Sequence, residues 1–427
     1  MYSTTPDLPE FPFAVAPIVE IDGADDVALC EHIANYTPVV LRGYAREQVL
    51  GERLSGLDSS ASIRAVEPLL GNAKIPFTLL PPEQKGDIGI GEDLQANFRV
   101  DDRVASAAQF LSVVEELVGD SSGACAYAAS MPLERFPKIQ DLIACADTLA
   151  ERKLWTRLLW VGSGRHVVDL HHDEMLNLIT MYSGVKRITL LPPTSLPSLY
   201  PAPLHRKVGG VPRSLVKLLS LDHERYPRME EALRASCQTV LYPGDALFIP
   251  PLWWHYVESY GFNLMVNAWY NDLVNKPDLA RANQTLRDAI AGHSDRRPDP
   301  NQLQKYRNLL LSEGRDDKLT RSDDQRADTS SDLHTDALSK SLVHARAALT
   351  PLPKYWRDWM VLQFEYYVLR IHGDPYPTLP NALAEVAEHF RSQSKKGRLA
   401  RLLAAPRRLL RSVRREVRNR VRVWKQG

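Results

Sequence analysis

The chain contains few cysteines, four in 427 residues. They are far apart in the sequence and none forms a Cys-x-x-Cys pair: Cys30, Cys125, Cys145 and Cys237. This spacing argues against a zinc knuckle and against a disulfide framework. It favours a reducing compartment, and we therefore expect a cytoplasmic protein.

Long apolar runs are also missing. No stretch reaches the roughly 18 residues that a membrane-spanning helix requires. Residues 1–7 include neither a basic nor an apolar segment, so we expect no signal peptide. The apolar share of 44 % and the charged share of 25 % are ordinary for a globular protein, and the length predicts two or three domains.

The net charge of +1 conceals an uneven distribution. Residues 391–427 hold 14 of the 53 basic residues and one of the 52 acidic residues, so the rest of the chain has a net charge of −12. A basic amphipathic helix can bind RNA, an anionic membrane or an acidic protein, or it can pack on the protein's own acidic body. The sequence leaves these alternatives open. The apolar stripe at helical spacing is Leu410, Val413, Val417, Val421 and Trp424.

One short motif indicates chemistry. His171 and Asp173 are separated by one residue, and His255 follows 82 residues after Asp173. Alternation along a strand points residues i and i+2 to the same side, so His171 and Asp173 can reach one metal while His172 points away. Two imidazoles and one carboxylate hold Fe(II) on one face and leave the opposite face open. Each residue alone could be structural; their order and spacing together favour a metal site.

A lysine adds to this pattern. Lys186 lies fifteen positions after His171, on a β-branched run that follows a turn at Gly184. A cationic side chain inside a barrel is costly unless it has an anionic partner. The distal carboxylate of 2-oxoglutarate would be such a partner. Taken alone, the lysine could equally be a solvated strand residue.

At this point the segment 155–272 resembles the JmjC and cupin-like family of Fe(II)/2-oxoglutarate oxygenases. Within that family it is most similar in pattern to the asparaginyl hydroxylases of hypoxia-inducible factor. The motifs that carry the resemblance are His171-x-Asp173 followed by Asn177, Gly184-x-Lys186, Pro192-Pro193, Gly244-Asp245, Ile249-Pro250, Trp253-Trp254-His255 and the run from Val266 to Tyr270.

The resemblance implies an Fe(II) centre on His171, Asp173 and His255, with 2-oxoglutarate as cosubstrate and O2 as oxidant. It implies hydroxylation of a substrate carbon, with succinate and CO2 as co-products. We expect a peptide or protein side chain as substrate. The alternatives are a JmjC-type demethylase, a small-molecule hydroxylase, or a catalytically silent cupin-like binding module.

The resemblance also implies how the cosubstrate is held. Lys186 pairs with its far carboxylate, Tyr127 donates its hydroxyl to the same group, and Asn177 and Asn267 lie near the metal-bound end. This chain departs from the family pattern at one position of the cosubstrate site: relatives often carry Thr or Ser three residues before the first metal-binding histidine, and Val168 stands there in this chain. This change removes one potential hydrogen bond to the cosubstrate.

The expected architecture is a mainly β core, a double-stranded β-helix or jelly roll of the cupin and JmjC type, with an α-helical N-terminal elaboration and an α-helical C-terminal region. In relatives the C-terminal helices often form a homodimer interface. We also expect a short helix at 214–219. The predicted regions are 1–153 (mixed α/β), 154–272 (catalytic core), 273–390 (helical, with a mobile loop near 314–335) and 391–427 (basic amphipathic tail).

Overall fold

The computed structural model describes residues 8–90, 101–120, 122–144, 147–202, 211–274, 276–292, 300–311 and 341–370. The described residues divide into two compact units. The first lies within Met1–Leu279 and continues with Leu352–Tyr366, and the second contains Ala280–Pro351. The predicted loop at 314–335 and the basic tail at 391–427 lie outside the described residues, so both stay predictions.

The first unit contains all the described strands. In chain order they are β1 (Ala16–Pro17), β2 (Glu20–Asp22), β3 (Val39–Arg42), β4 (Lys74–Leu80), β5 (Asp87–Ile88), β6 (Asp102–Ser106), β7 (Cys125–Pro132), β8 (Thr148–Leu149), β9 (Arg152–Gly162), β10 (His166–His172), β11 (Leu176–Leu191), β12 (Cys237–Leu241), β13 (Ala246–Ile249) and β14 (Trp254–Tyr270).

The helices precede the barrel strands, interrupt them or follow them. They are α1 (Asp26–Ala34), α2 (Val49–Leu54), α3 (Ser59–Leu70), α4 (Ala107–Val118), α5 (Pro137–Gln140), α6 (Met229–Arg234), α7 (Lys276–Gly292), α8 (Pro300–Leu311), α9 (341–349) and α10 (Lys354–Arg370).

Two long strands organise the first unit. β11 and β14 are antiparallel neighbours from the pair Leu176 and Tyr270 to the pair Leu191 and Trp254. The first half of β11 also pairs with β13 and its second half with β12, while β14 pairs first with β10 and then with β9. Each long strand therefore passes from one layer of the fold into the other. This arrangement confirms the predicted jelly-roll core.

A glycine permits β11 to bend between the two layers. Gly184 has a φ of +76°, and a Cβ at this position would lie 2.4 Å from the carbonyl oxygen of Phe262 on β14. The register of the two long strands shifts on both sides of Ser183. An L side chain at position 184 would be strained and would also clash with the neighbouring backbone.

One layer consists of β13, the first half of β11, the second half of β14 and β9, and both of its faces are covered. One face contributes Ile179 and Met265 to the apolar core between the layers. The opposite face packs against α2, α3 and α4, which contribute Leu50, Ile63 and Phe110 to a separate cluster. α4 begins at a capping box in which Ser106 and Gln109 satisfy each other's backbone N–H groups. These helices confirm the predicted α-helical elaboration before the barrel.

One prediction of secondary structure was wrong. The predicted helix at 214–219 is absent: Arg213 and Ser214 form isolated β-bridges with His171 and Pro201, and only Leu218–Ser220 forms a single 3₁₀ turn. Tertiary pairing overrides the local helical preference of this segment. In the second unit, α7 buries Ala282, Leu286 and Ala289 at helical spacing.

Candidate active site

The structure brings the three predicted metal ligands together. The donor atoms of His171, Asp173 and His255 all lie within 4.8 Å of one another. His171 and His255 are direct cross-strand neighbours on β10 and β14. β10 ends at His172, so Asp173 reaches the centre from the first position after the strand, and its carbonyl oxygen accepts a hydrogen bond of 2.7 Å from the N–H of Leu252. Their role as metal ligands stays a prediction.

The backbone determines which nitrogen of each imidazole faces the centre. The Nδ1–H of His171 donates to the carbonyl oxygen of Asp169 at 2.6 Å, and that of His255 donates to Trp253 at 3.1 Å. Each ring therefore has Nε2 free to bind a metal, and the His255 Nε2 lies 3.7 Å from Oδ2 of Asp173. A carbonyl on the second nitrogen is the usual way in which proteins fix the tautomer of a metal-binding histidine.

Burial sets the protonation of these groups. It lowers the pKa of His171 and His255, so both imidazoles are neutral near pH 7. It raises the pKa of Asp173, while the nearby His255 and the guanidinium of Arg213 lower it. Neutral imidazoles and a carboxylate supported by a neighbouring cation are the forms that bind a divalent metal.

Arg213 is a site residue that the sequence did not reveal. Its backbone pairs with His171, and it is 6 % exposed. Asp87 and Asp169, which also act electrostatically on Arg213, form ion pairs with Lys217, the first at 2.8 Å. Two carboxylates and two cations therefore compensate one another beside the metal ligands. Lys217 lies in the segment mistaken for a helix and Arg213 lies immediately before it, and no sequence pattern identified either cation.

The predicted position of His172 is consistent with the structure. Its ring packs edge-on against Trp254 at 4.8 Å and against Trp359 of α10 at 5.4 Å, away from the metal ligands. Trp254 is wholly buried in this packing. Trp269 stacks on Trp155 with the ring centroids 5.7 Å apart.

The predicted cosubstrate lysine lies in the same barrel. Lys186 is 3 % exposed, and its Nζ donates a hydrogen bond of 2.5 Å to Oγ of Ser259. No carboxylate of the described residues lies within ion-pair distance of it. Burial alone lowers its pKa to about 7. A buried lysine whose only resolved partner is a hydroxyl can accept an anionic ligand.

The two predicted asparagines form one hydrogen-bonded network. The Nδ2 of Asn267 donates to Oδ1 of Asn177 at 3.1 Å, and the indole N–H of Trp160 donates to Oδ1 of Asn267 at 2.7 Å. Tyr127 is 6.0 Å from Trp160, measured between ring centroids. Asn177, Asn267 and Tyr127 therefore line one connected wall, and their contact with a cosubstrate stays a prediction.

The family of this protein follows from a comparison of its sequence with known families. Residues 25–276, more than half of the chain, match the model of the cupin-like domain. The chain belongs to the cupin-like domain family. The resemblance to JmjC and cupin-like proteins is thereby confirmed.

Several curated proteins match a part of the chain. Lysine-specific demethylase JMJ31 of Arabidopsis thaliana is 36 % identical over 121 residues, which is 28 % of this chain and 22 % of that protein. HSPB1-associated protein 1 of Homo sapiens is 34 % identical over 131 residues, 30 % of this chain and 26 % of that protein. tRNA wybutosine-synthesizing protein 5 of Gallus gallus is 26 % identical over 140 residues, 33 % of this chain and 41 % of that protein.

The chain thus spans between about a fifth and two fifths of the length of these relatives. Within the described residues, no helix combines the length and apolar character needed to cross a membrane.

Proposed function

We propose that this protein is an Fe(II)- and 2-oxoglutarate-dependent oxygenase that hydroxylates a carbon of a peptide or protein side chain. The donor set supports iron: two imidazole Nε2 atoms and one carboxylate converge from one side, and their second nitrogens are held by carbonyl groups. When bound there, Fe(II) would supply oxygen activation and the oxidation of carbon.

The observation that carries the proposal is the order of side chains along the inner face of three adjacent strands. The first row contains the metal ligands His171 and His255. The next row is apolar, with Val168, Val257 and Ile188 in register. The following row carries Lys186 opposite Ser259.

These rows match the chemistry of a keto dicarboxylic acid. From His255 to Ser259 the strand advances four residues, about 13 Å at ~3.3 Å per residue. A five-carbon keto acid with one end on a metal and the other on an ammonium group spans a gap of this order. Its methylene groups would lie against the apolar row, and its far carboxylate would pair with Lys186.

The protein's own residues would prepare this reaction in simple ways. His171, Asp173 and His255 would hold the metal through two imidazoles and one carboxylate. Lys186 orients the keto acid by its far end. The apolar row of Val168, Val257 and Ile188 limits the entry of water.

The relatives support a protein substrate, since two of the matched proteins are named lysine-specific demethylases. Hydroxylation of an N-methyl carbon is the step that leads to demethylation, so both reactions use the same centre. One relative is named for tRNA wybutosine synthesis, which makes a nucleic acid the competing substrate class.

The test is succinate formation from 2-oxoglutarate by the iron-loaded protein, followed by an untargeted mass comparison of peptides and RNA from treated extract. We expect succinate that depends on Fe(II) and O2, and peptides heavier by one oxygen atom. His255→Ala should abolish both and lower the iron content. His223→Ala, at an exposed histidine, is the matched control.

Two results would contradict the proposal. If His171→Ala and His255→Ala retain full iron, these residues are not the metal site. If the iron-loaded wild-type protein binds no 2-oxoglutarate, the chain is a binding module that keeps the fold without the reaction.

A further inference from the structure

A fully buried histidine lies beside Lys186 in the barrel. His166 is 0 % exposed and stands directly opposite Ser259, the residue that accepts the hydrogen bond from Lys186. His166, Ser259 and Lys186 therefore form one row across β10, β14 and β11. Side chains opposite each other on neighbouring strands have Cβ atoms about 5 Å apart, so all three groups face the same small space.

The ring of His166 packs closely against its neighbours, but neither of its nitrogens has a well-placed hydrogen-bond partner. Neither ring nitrogen makes a hydrogen bond of normal geometry within the described residues, although the backbone of Ser163 comes close. The ring lies against Gly162, where a Cβ would stand 2.7 Å from Cε1, and against Tyr127, 4.6 Å away between ring centroids. The absence of a side chain at Gly162 leaves room for this imidazole.

A buried polar group with unsatisfied hydrogen-bonding capacity is costly, and two such groups lie together here. Lys186 has no carboxylate among the described residues, and His166 has no well-placed acceptor. Burial and the charge of Lys186 hold the pKa of His166 well below its usual value, so the ring is neutral and has one N–H to donate. An ammonium group and an imidazole N–H that face one space are both satisfied by a single carboxylate.

We infer that His166 donates a hydrogen bond to the far carboxylate of the keto-acid cosubstrate and replaces the hydroxyl that is missing at Val168. This inference rests on the proposed function. Val168 and His166 lie two residues apart on the same face of β10, and Val168 belongs to the apolar row nearer the metal. The proposed donor, His166, lies one row farther from the metal ligands than Val168, in the same row as Lys186.

The inference makes His166 a residue that selects dicarboxylic keto acids. The far carboxylate would bind Lys186 and His166 together, while a keto acid without that group would leave both unsatisfied. The loss on replacing His166 should therefore depend on the ligand, which a purely structural role would not produce.

Calorimetric titration of the Mn(II)-loaded protein without oxygen tests this. The ligands are 2-oxoglutarate and 2-oxobutanoate, which has the keto acid end but no far carboxylate. We expect His166→Leu to weaken 2-oxoglutarate binding by about tenfold or more, as for a lost hydrogen bond to a charged group. Binding of 2-oxobutanoate should be unchanged, and His166→Gln, which keeps an N–H donor, should recover part of the loss. His223→Gln is the control.

A folded His166→Leu protein that binds 2-oxoglutarate as tightly as the wild type overturns the inference, as does an equal loss for both keto acids. Failure of the wild-type protein to bind 2-oxoglutarate overturns the proposed function itself.

A second measurement does not depend on the leucine variant. In wild-type protein with ¹³C-labelled histidine and Zn(II), the Cε1–H resonance of His166 is the one missing from His166→Gln. We expect this resonance to shift on addition of 2-oxoglutarate and to stay in place with 2-oxobutanoate. A resonance that ignores both ligands contradicts the inference.

Discussion

Lys186, which we propose binds the far carboxylate of the cosubstrate, should lower the free energy of unfolding of the ligand-free protein. Its side chain is 3 % exposed, and burial lowers its pKa from 10.5 to about 7. That difference corresponds to a cost on the order of 5 kcal/mol for holding the ammonium group inside the barrel. Methionine has a similar length and no charge. Lys186→Met should therefore stabilise the ligand-free protein by a few kcal/mol near pH 6, within the order of magnitude set by that cost.

The lowered pKa of Lys186 also determines how the stability of the protein should change with pH. Because the pKa is lower in the folded protein, the unfolded chain binds more protons between about pH 7 and 10.5, and wild-type stability rises with pH across this window. Below about pH 7 the full cost is present, and near pH 10.5 it is gone. The advantage of Lys186→Met should accordingly shrink as the pH rises.

Denaturant unfolding at about pH 6 and about pH 9 measures the effect, with Lys153→Met at an exposed position of β9 as control. The same variant should bind 2-oxoglutarate at least ~10-fold more weakly, a loss of about 1.4 kcal/mol. A variant that is less stable than wild type at both pH values, with unchanged binding of 2-oxoglutarate, would refute the argument.

Three further changes test the surrounding structure. Glu258→Gln should destabilise the fold by about 3 kcal/mol in denaturant unfolding, because it breaks the buried ion pair between Glu258 and Arg187 (2.6 Å). Both side chains lie on the face of the sheet away from the candidate metal site, so metal binding should stay intact. Gly184→Ala should cost about 2 kcal/mol or more by the same assay, because φ is +76° and the added Cβ meets the backbone of Phe262; a neutral result would contradict the bend. Asp272→Ala should expose α10 to limited proteolysis, because Asp272 accepts hydrogen bonds from Tyr36 (2.9 Å) and Trp356 (2.8 Å).

The cluster of two histidines and one aspartate could be predicted from the sequence because the residue types and their spacing are specific. The pattern identified His171, Asp173 and His255, and the structure brings their donor atoms together. The expected alternation was only part of the cause, since β10 ends at His172 and its register shifts between Val168 and His171. Asp173 therefore reaches the centre from the loop.

Residues that are brought together only by the pairing of two strands could not be predicted in this way. His166 and Ser259 are 93 residues apart in sequence, and only the pairing of β10 with β14 places them face to face. Arg213 was hidden for a similar reason, because its segment has helical spacing yet forms β-bridges. The full length of β11 could not be predicted either, because the turn expected at Gly184 lies inside one continuous strand.

The most direct test of the central claim is a crystal structure of the protein grown without oxygen in the presence of Mn(II) and 2-oxoglutarate. We expect one metal ion bound by Nε2 of His171, Nε2 of His255 and the carboxylate of Asp173, with the keto acid on the same metal ion and its far carboxylate on Lys186. A metal ion bound elsewhere, or a keto acid whose far carboxylate turns away from Lys186, would contradict it.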